Sequence, residues 1–166
     1  ESAYRRSGDT GTFSVDSTAI AKRSLKNTAL SYLSTLPDNS GLNLAQQQLS
    51  SARNMTDELA GLGALNQSAE AQTNGQRDKA LSDFYQRWKH EALVVNQWLQ
   101  VQASCQLRGA LQRVKTLMEH ESFDVKNPNK VRSVIGVFAS SNAIGFHVAD
   151  GSGYEFLADQ ILLLDA

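Results

Sequence analysis

Apolar residues at helical spacing are what most limit how this chain can fold. Leu81, Phe84, Tyr85 and Trp88 recur every three or four positions, which places them on one face of a helix. Val94, Val95, Trp98, Leu99 and Val101 repeat the pattern, as do Leu111, Val114, Leu117 and Met118. Val131, Val134, Ile135 and Phe138 form another stripe, and Phe156, Leu157, Ile161 and Leu164 the last. Period-two alternation is nowhere sustained. The best strand candidate is Phe146-His147-Val148-Ala149, and four residues make no sheet. Each stripe needs a neighbour to cover it, and short connections favour antiparallel pairs. The pattern predicts an all-α chain of about eight helices, stacked as antiparallel pairs in a layered array. The rhythm of helix pairs permits a solenoid, although no fixed sequence period demonstrates one.

Residues 1–15 read as a loop or a truncated edge, because Gly8, Gly11 and scattered Ser and Thr show no period. The helical domain is expected over 16–166. Its first stripe is Ile20, Ser24, Thr28, Ala29, Tyr32, Leu33 and Leu36, with Asp16 or Ser17 as N-cap and Pro37-Asp38-Asn39-Ser40-Gly41 as the stop. A second helix is expected from Leu42 to Arg53, with Gln46, Gln47 and Gln48 as a solvated face. A third follows Thr56 as cap and carries Leu59, Leu62 and Leu65. Gly61 and Gly63 weaken it, since each costs about 1 kcal/mol against Ala inside a helix. Asn74-Gly75 marks a break. In KNPNKVRSVIG, residues 126–136, Asn127 suits an N-cap and Pro128 a first helical residue, whose missing N–H would have no partner there.

Composition narrows the function. The 166 residues suit one domain, and 41% apolar content is enough for a packed core. Sixteen Lys plus Arg balance seventeen Asp plus Glu, so there is no basic stripe for nucleic acid and no electrostatic case for an anionic membrane. No apolar run approaches the roughly 18 residues of a membrane span. The polar start, with Arg5, Arg6 and Asp9, is no signal peptide. Cys105 is the lone cysteine; it fits a reducing, cytoplasmic setting and reads as a packed small hydrophobe. The absence of an initiator Met suggests an excised piece of something longer.

No catalytic constellation emerges. A zinc hydrolase helix would show H-E-x-x-H, two histidines four apart facing one metal. His90-Glu91 begins that way, but position 94 is Val. His90 and His120 read as polar helix ends, and His147, between apolar neighbours, as a buried or half-buried structural residue or a site residue. Asp150-Gly151-Ser152-Gly153 permits either an anion cradle at a helix start or a capping box between Ser152 and Glu155. Phe84, Tyr85, Trp88 and Trp98 read as core.

The string itself goes further. Residues 81–104, LSDFYQRWKHEALVVNQWLQVQAS, and residues 126–165, KNPNKVRSVIG with its downstream DGSGY, resemble the C-terminal part of bacterial aminopeptidase N. RSLKNTALSYL at 23–33 and NMTDELAGLGAL at 54–65 are similar to the same region, so the resemblance runs from about Phe13 onward. It implies the C-terminal helical domain of a zinc-dependent alanyl aminopeptidase, a superhelical array of helix pairs akin to HEAT or armadillo repeats. Such a domain would close over the catalytic domain of the same polypeptide and limit access of peptide substrates. The G-x-M-E-N and zinc motifs of the family lie in the catalytic domain and do not occur here. No catalytic or metal-binding residue is therefore carried over, and zinc is expected only in the parent. Arg132, with Asn129 and His147, is the candidate for facing the substrate chamber or a neighbouring domain. A guanidinium there would pair with a peptide carboxylate, with a catalytic-domain acid, or with an acid of its own domain. The alternative function is a free-standing helical-repeat scaffold that binds a peptide or protein on its concave face.

Overall fold

A computed structural model describes residues 1–8, 11–36 and 40–165. Asp9 and the Pro37-Asp38-Asn39 stop signal lie outside the described residues. The described residues are helical throughout, without a strand, and form two compact units, Glu1–Ser82 and Asp83–Ala166.

The first unit holds α1 (Ser2–Arg6), α2 (Ser17–Leu33), α3 (Ser40–Ser51), α4 (Met55–Asn66), α5 (Ala69–Thr73) and the start of α6 (Gln76–Trp88). The first fifteen residues are thus not wholly loop. One helical turn, α1, packs against α2 and is too short to leave a readable apolar period. Asp16 caps α2, accepting from Ala19 N–H at 2.9 Å. α3 pairs with α4, as a three-residue connection dictates. Asn54, not Thr56, caps α4, accepting from Asp57 N–H at 2.9 Å. Gly61 is what lets this pair close. A Cβ there would lie 2.9 Å from Leu49 N and 3.0 Å from Ala45 O, so the residue that weakens the helix locally permits the packing. Leu30, Leu42, Leu44, Ala45, Ala64, Leu65 and Ala71 form the core.

The stripe expected on α2 faces the wrong way. Ile20 is 51% exposed and Tyr32 74%, whereas Arg23, Lys26 and Leu30 are buried. Two cations occupy the inner face because acceptors on the neighbouring helices meet one of them, as described below. Gln48 departs from expectation for the same reason: it is 4% exposed rather than solvated.

The second unit contains the rest of α6, then α7 (Ala92–Ala103), α8 (Ala110–Met118), α9 (Pro128–Val131), a π-helical turn (Arg132–Gly136), α10 (Val137–Ser141), α11 (Ala143–Phe146) and α12 (Ser152–Asp165). There are more helices than the eight expected, since four- and five-residue segments leave no periodic trace. Phe138 is fully buried, with the rings of Phe146 and Phe156 at 5.7 and 5.8 Å, both edge-on. Tyr85 stacks near Trp98 at 4.8 Å, and His120 joins them at 4.8 and 5.0 Å. His120 is therefore part of an aromatic cluster rather than a solvated helix end. Cys105 is buried and in no disulfide, as expected of a small hydrophobe. Only the first part of the α12 stripe is covered: Phe156 is 5% exposed, but Ile161 is 56% and Leu164 48%.

Candidate functional site

The sequence candidates centre on α9 and the π-helical turn. Asn127 Oδ1 accepts from Asn129 N–H at 3.0 Å, and Pro128 occupies the first helical position. The local reading of KNPN as a helix start therefore holds. The helix then widens at Arg132–Gly136 into five π-helical residues. Such turns disturb the regular ladder and occur frequently at functional sites. Here the wide turn lets three consecutive residues, Ser133, Val134 and Ile135, all face inward at 2%, 0% and 3% exposure. Ser133 also accepts a hydrogen bond from Gln100 of α7 at 3.3 Å.

Arg132, at the start of the π-helical turn, is exposed. Among the described residues no salt bridge to it is formed. Asn129 precedes it by three positions and is also exposed, which puts both on one side of the helix. Between them in sequence, Lys130 is half-buried, and loss of water holds its pKa below the usual lysine range. Two cations and an amide thus cluster on a helix end.

His147 is exposed, not half-buried. It lies at the C-terminal end of α11, where its Nδ1 shares a hydrogen bond with the Tyr154 hydroxyl and its ring packs edge-on to Phe146 at 5.1 Å. Its described partners are in that aromatic patch; none is Arg132 or Asn129. The Asp150-Gly151-Ser152-Gly153 turn is a cap of a kind other than the one expected. The Asp150 carboxylate accepts from Ser152 N–H at 2.9 Å, and Gly151 adopts a left-handed φ of 79°. That bond holds the Asp150 pKa below the usual carboxylate range. A carboxylate of the chain itself thus fills the place an external anion would take.

Sequence reasoning missed two polar clusters. In the first unit, Lys26 Nζ meets Asp57 Oδ2 at 2.6 Å with both side chains buried. Asn27 and Asn54 donate to the same carboxylate, each at 3.0 Å. Gln48 donates to Asn27 Oδ1 and Asp57 O at 2.8 and 2.9 Å and accepts from Tyr4 Oη at 3.0 Å. Burial alone would raise the Asp57 pKa, but the hydrogen bonds from Lys26, Asn54 and Asn27 outweigh it, and the carboxyl lies below its usual range. In the second unit, Asn142 is 1% exposed. Its Nδ2 donates to Ala103 O at 2.9 Å and Cys105 O at 2.8 Å, while its Oδ1 accepts from Gly145 N–H at 3.0 Å. Spacing gives no hint of either cluster, because the contacts that close each one, Lys26 and Asn27 to Asp57 and Asn142 to Ala103 and Cys105, join residues 30 or more positions apart.

Among the described residues, no three His, Cys, Asp or Glu side chains converge as a metal site. His90, His120 and His147 sit on separate segments. No described helix is long and apolar enough to cross a membrane.

Residues 1–166 match a family model described as a domain of unknown function (DUF3458_C) with ARM repeats, and the chain belongs to that family. Armadillo-type helix pairs are the architecture that the resemblance implies and that the apolar stripes permit. The chain is similar to a segment of aminopeptidase N from Haemophilus influenzae (40% identity over 88% of this chain), Caulobacter vibrioides (38% over 94%) and Escherichia coli (37% over 93%). It spans 16 to 18% of the length of these curated relatives, in their C-terminal part. Among solved structures, Legionella pneumophila aminopeptidase A, crystallised with aspartic acid, matches with a TM-score of 0.82 and 34% identity. That match covers 98% of this chain and 19% of the other.

Proposed function

We propose that this chain is a non-catalytic part of the C-terminal helical domain of a zinc metallo-aminopeptidase, and that it borders the chamber in which peptides lose their N-terminal residue. One observation carries the reading: nearly the whole chain matches a segment that makes up less than a fifth of each aminopeptidase it resembles. The reacting groups then belong to the catalytic domain of the same polypeptide, in a cytoplasmic enzyme. There a metal ion would supply the Lewis acidity and activated water of peptide hydrolysis. The contribution of this chain is to bind and to exclude. Arg132 and Asn129 present a guanidinium and an amide on one helix side, and Arg132 takes the carboxylate or a carbonyl of a longer peptide.

Two measurements test this. The isolated chain, assayed with alanyl-p-nitroanilide and added zinc, is expected to release no nitroaniline above background; metal-dependent turnover would refute the non-catalytic assignment. In the intact enzyme, Arg132→Ala is expected to raise KM for tetrapeptides and longer by roughly tenfold, the loss of one charge-assisted hydrogen bond. KM for alanyl-p-nitroanilide should hardly change. Equal effects on both substrates would remove Arg132 from the chamber.

A further inference from the structure

In the first unit, α2 and the first turn of α4 border an open groove of about 650 Å³. Ile20, Arg23, Ser24, Asn27, Tyr32 and Thr56 line it. Arg23 is 5% exposed, and its Nη1 is buried without a hydrogen-bond acceptor among the described residues. Its guanidinium carbon lies 4.9 Å from the centre of the Phe13 ring. A ring face attracts the cation but accepts no in-plane hydrogen bond from Nη1. A desolvated charged donor with no acceptor is among the most costly groups a protein can bury. Neither nearby acid supplies the acceptor: Lys26, Asn27 and Asn54 already hold the Asp57 carboxylate, and Asp16, whose charge Arg23 feels, accepts from the Ser14 hydroxyl and Ala19 N–H instead. Around the groove, Ile20 and Tyr32 stand out at 51% and 74% exposure, an apolar rim with no cover among the described residues.

We propose that this groove is a docking site for an acidic side chain flanked by apolar residues, carried by another part of the parent polypeptide, with Arg23 as the anchor. A carboxylate is the acceptor that matches a guanidinium fork, by two parallel hydrogen bonds. A free ion would leave Ile20 and Tyr32 bare, whereas a protein segment covers them while its acid reaches Arg23. The related aminopeptidases carry more than four-fifths of their length outside the matched segment, so such a segment is at hand in them. The proposal rests on the reading that this chain is one segment of a longer aminopeptidase.

Hydrogen–deuterium exchange of residues 17–33 tests it, compared between this chain alone and the intact polypeptide. The expected result is slower exchange of α2 in the intact polypeptide, with about tenfold or more of that protection lost in Arg23→Gln and part of it kept in Arg23→Lys. Ile20→Ser, at an exposed position outside the core, gives a second reading should Arg23→Gln fold poorly; it is expected to lose protection in the intact polypeptide and none in the chain alone. Equal exchange in the two contexts overturns the docking site while leaving the aminopeptidase reading intact. A reading frame that encodes no catalytic domain overturns both. Protection of α2 in the chain alone by sodium acetate, to the level of the intact polypeptide, would make the groove a site for free carboxylates and overturn the docked segment. Protection that grows with the concentration of the chain alone would assign the face to a second copy and overturn it as well.

Discussion

The two units solve the same packing problem with different materials. In the first, the helices close around charge: Arg23, Lys26, Gln48, Asp57 and Glu58 are all buried. In the second, they close around rings, with Phe138, Phe146 and Phe156 in one group and Tyr85, Trp98 and His120 in another. Rings tolerate small adjustments, since their attraction is spread over many weak contacts. A buried ion pair has one arrangement in which it is not costly, and it fixes the positions of α2, α3 and α4 through that arrangement. The first unit thus gains a defined helix register and depends on every partner being present. The second gains most from apolar area.

This contrast breaks most readily at Phe138. Truncation by Phe138→Ala is expected to cost about 4 kcal/mol, from lost transfer energy and the cavity left beside the Phe146 and Phe156 rings. The damage should stay in the second unit. Both tryptophans, Trp88 and Trp98, lie in that unit, so tryptophan fluorescence reports on it alone, whereas far-UV circular dichroism reports on the whole chain. Phe138→Ala should therefore move the fluorescence midpoint in urea more than the dichroism midpoint. Next in size is Lys26→Met, which leaves the Asp57 carboxylate buried with only Asn27 and Asn54. About 3 kcal/mol is expected, with the shift now larger by dichroism than by fluorescence. Adding Asp57→Leu should recover part of the loss; a double variant as unstable as the sum of the singles would show that the pair is not coupled. The smallest effect is acid lability. The folded pKa of Asp57 is depressed, so its contribution is complete above the unfolded value near 3.9 and is lost as pH falls through the lower folded value. Below about pH 4 the first unit should loosen before tryptophan fluorescence changes, and Asp57→Asn should abolish that early phase. Simultaneous loss of both signals would merge the two units into one.

The same contrast explains what sequence reading reaches. In the second unit apolar spacing identifies α6, α7 and α8 and the Val134, Ile135 and Phe138 face, because an aromatic core leaves its period in the string. In the first, the period of α2 points outward: the residues that matter inside are Arg23 and Lys26, which no apolar pattern marks. Asp57, the partner of Lys26, is 31 positions away, and only the folded chain brings the two together. The candidate site divides likewise. The cap at Asn127 and Pro128 is visible from residue chemistry, and Arg132 stands out as a cation on an otherwise apolar run. The exposure of His147 depends on Tyr154 and on the turn at Gly151, and is not legible from its apolar neighbours.

The π-helical turn has a genealogical consequence. Five residues do there what an α-helix does with fewer, so the turn amounts to one residue inserted into a regular helix. Each residue of an α-helix turns the chain by about 100°, and deleting one between Arg132 and Gly136 would swing everything after it by that angle. Phe138 would leave the ring cluster, or else Arg132 would turn to a new direction. Relatives that keep both should keep the same length across this stretch, and an alignment gap of one residue there would mark a lineage in which either the core or the exposed cation has been reassigned.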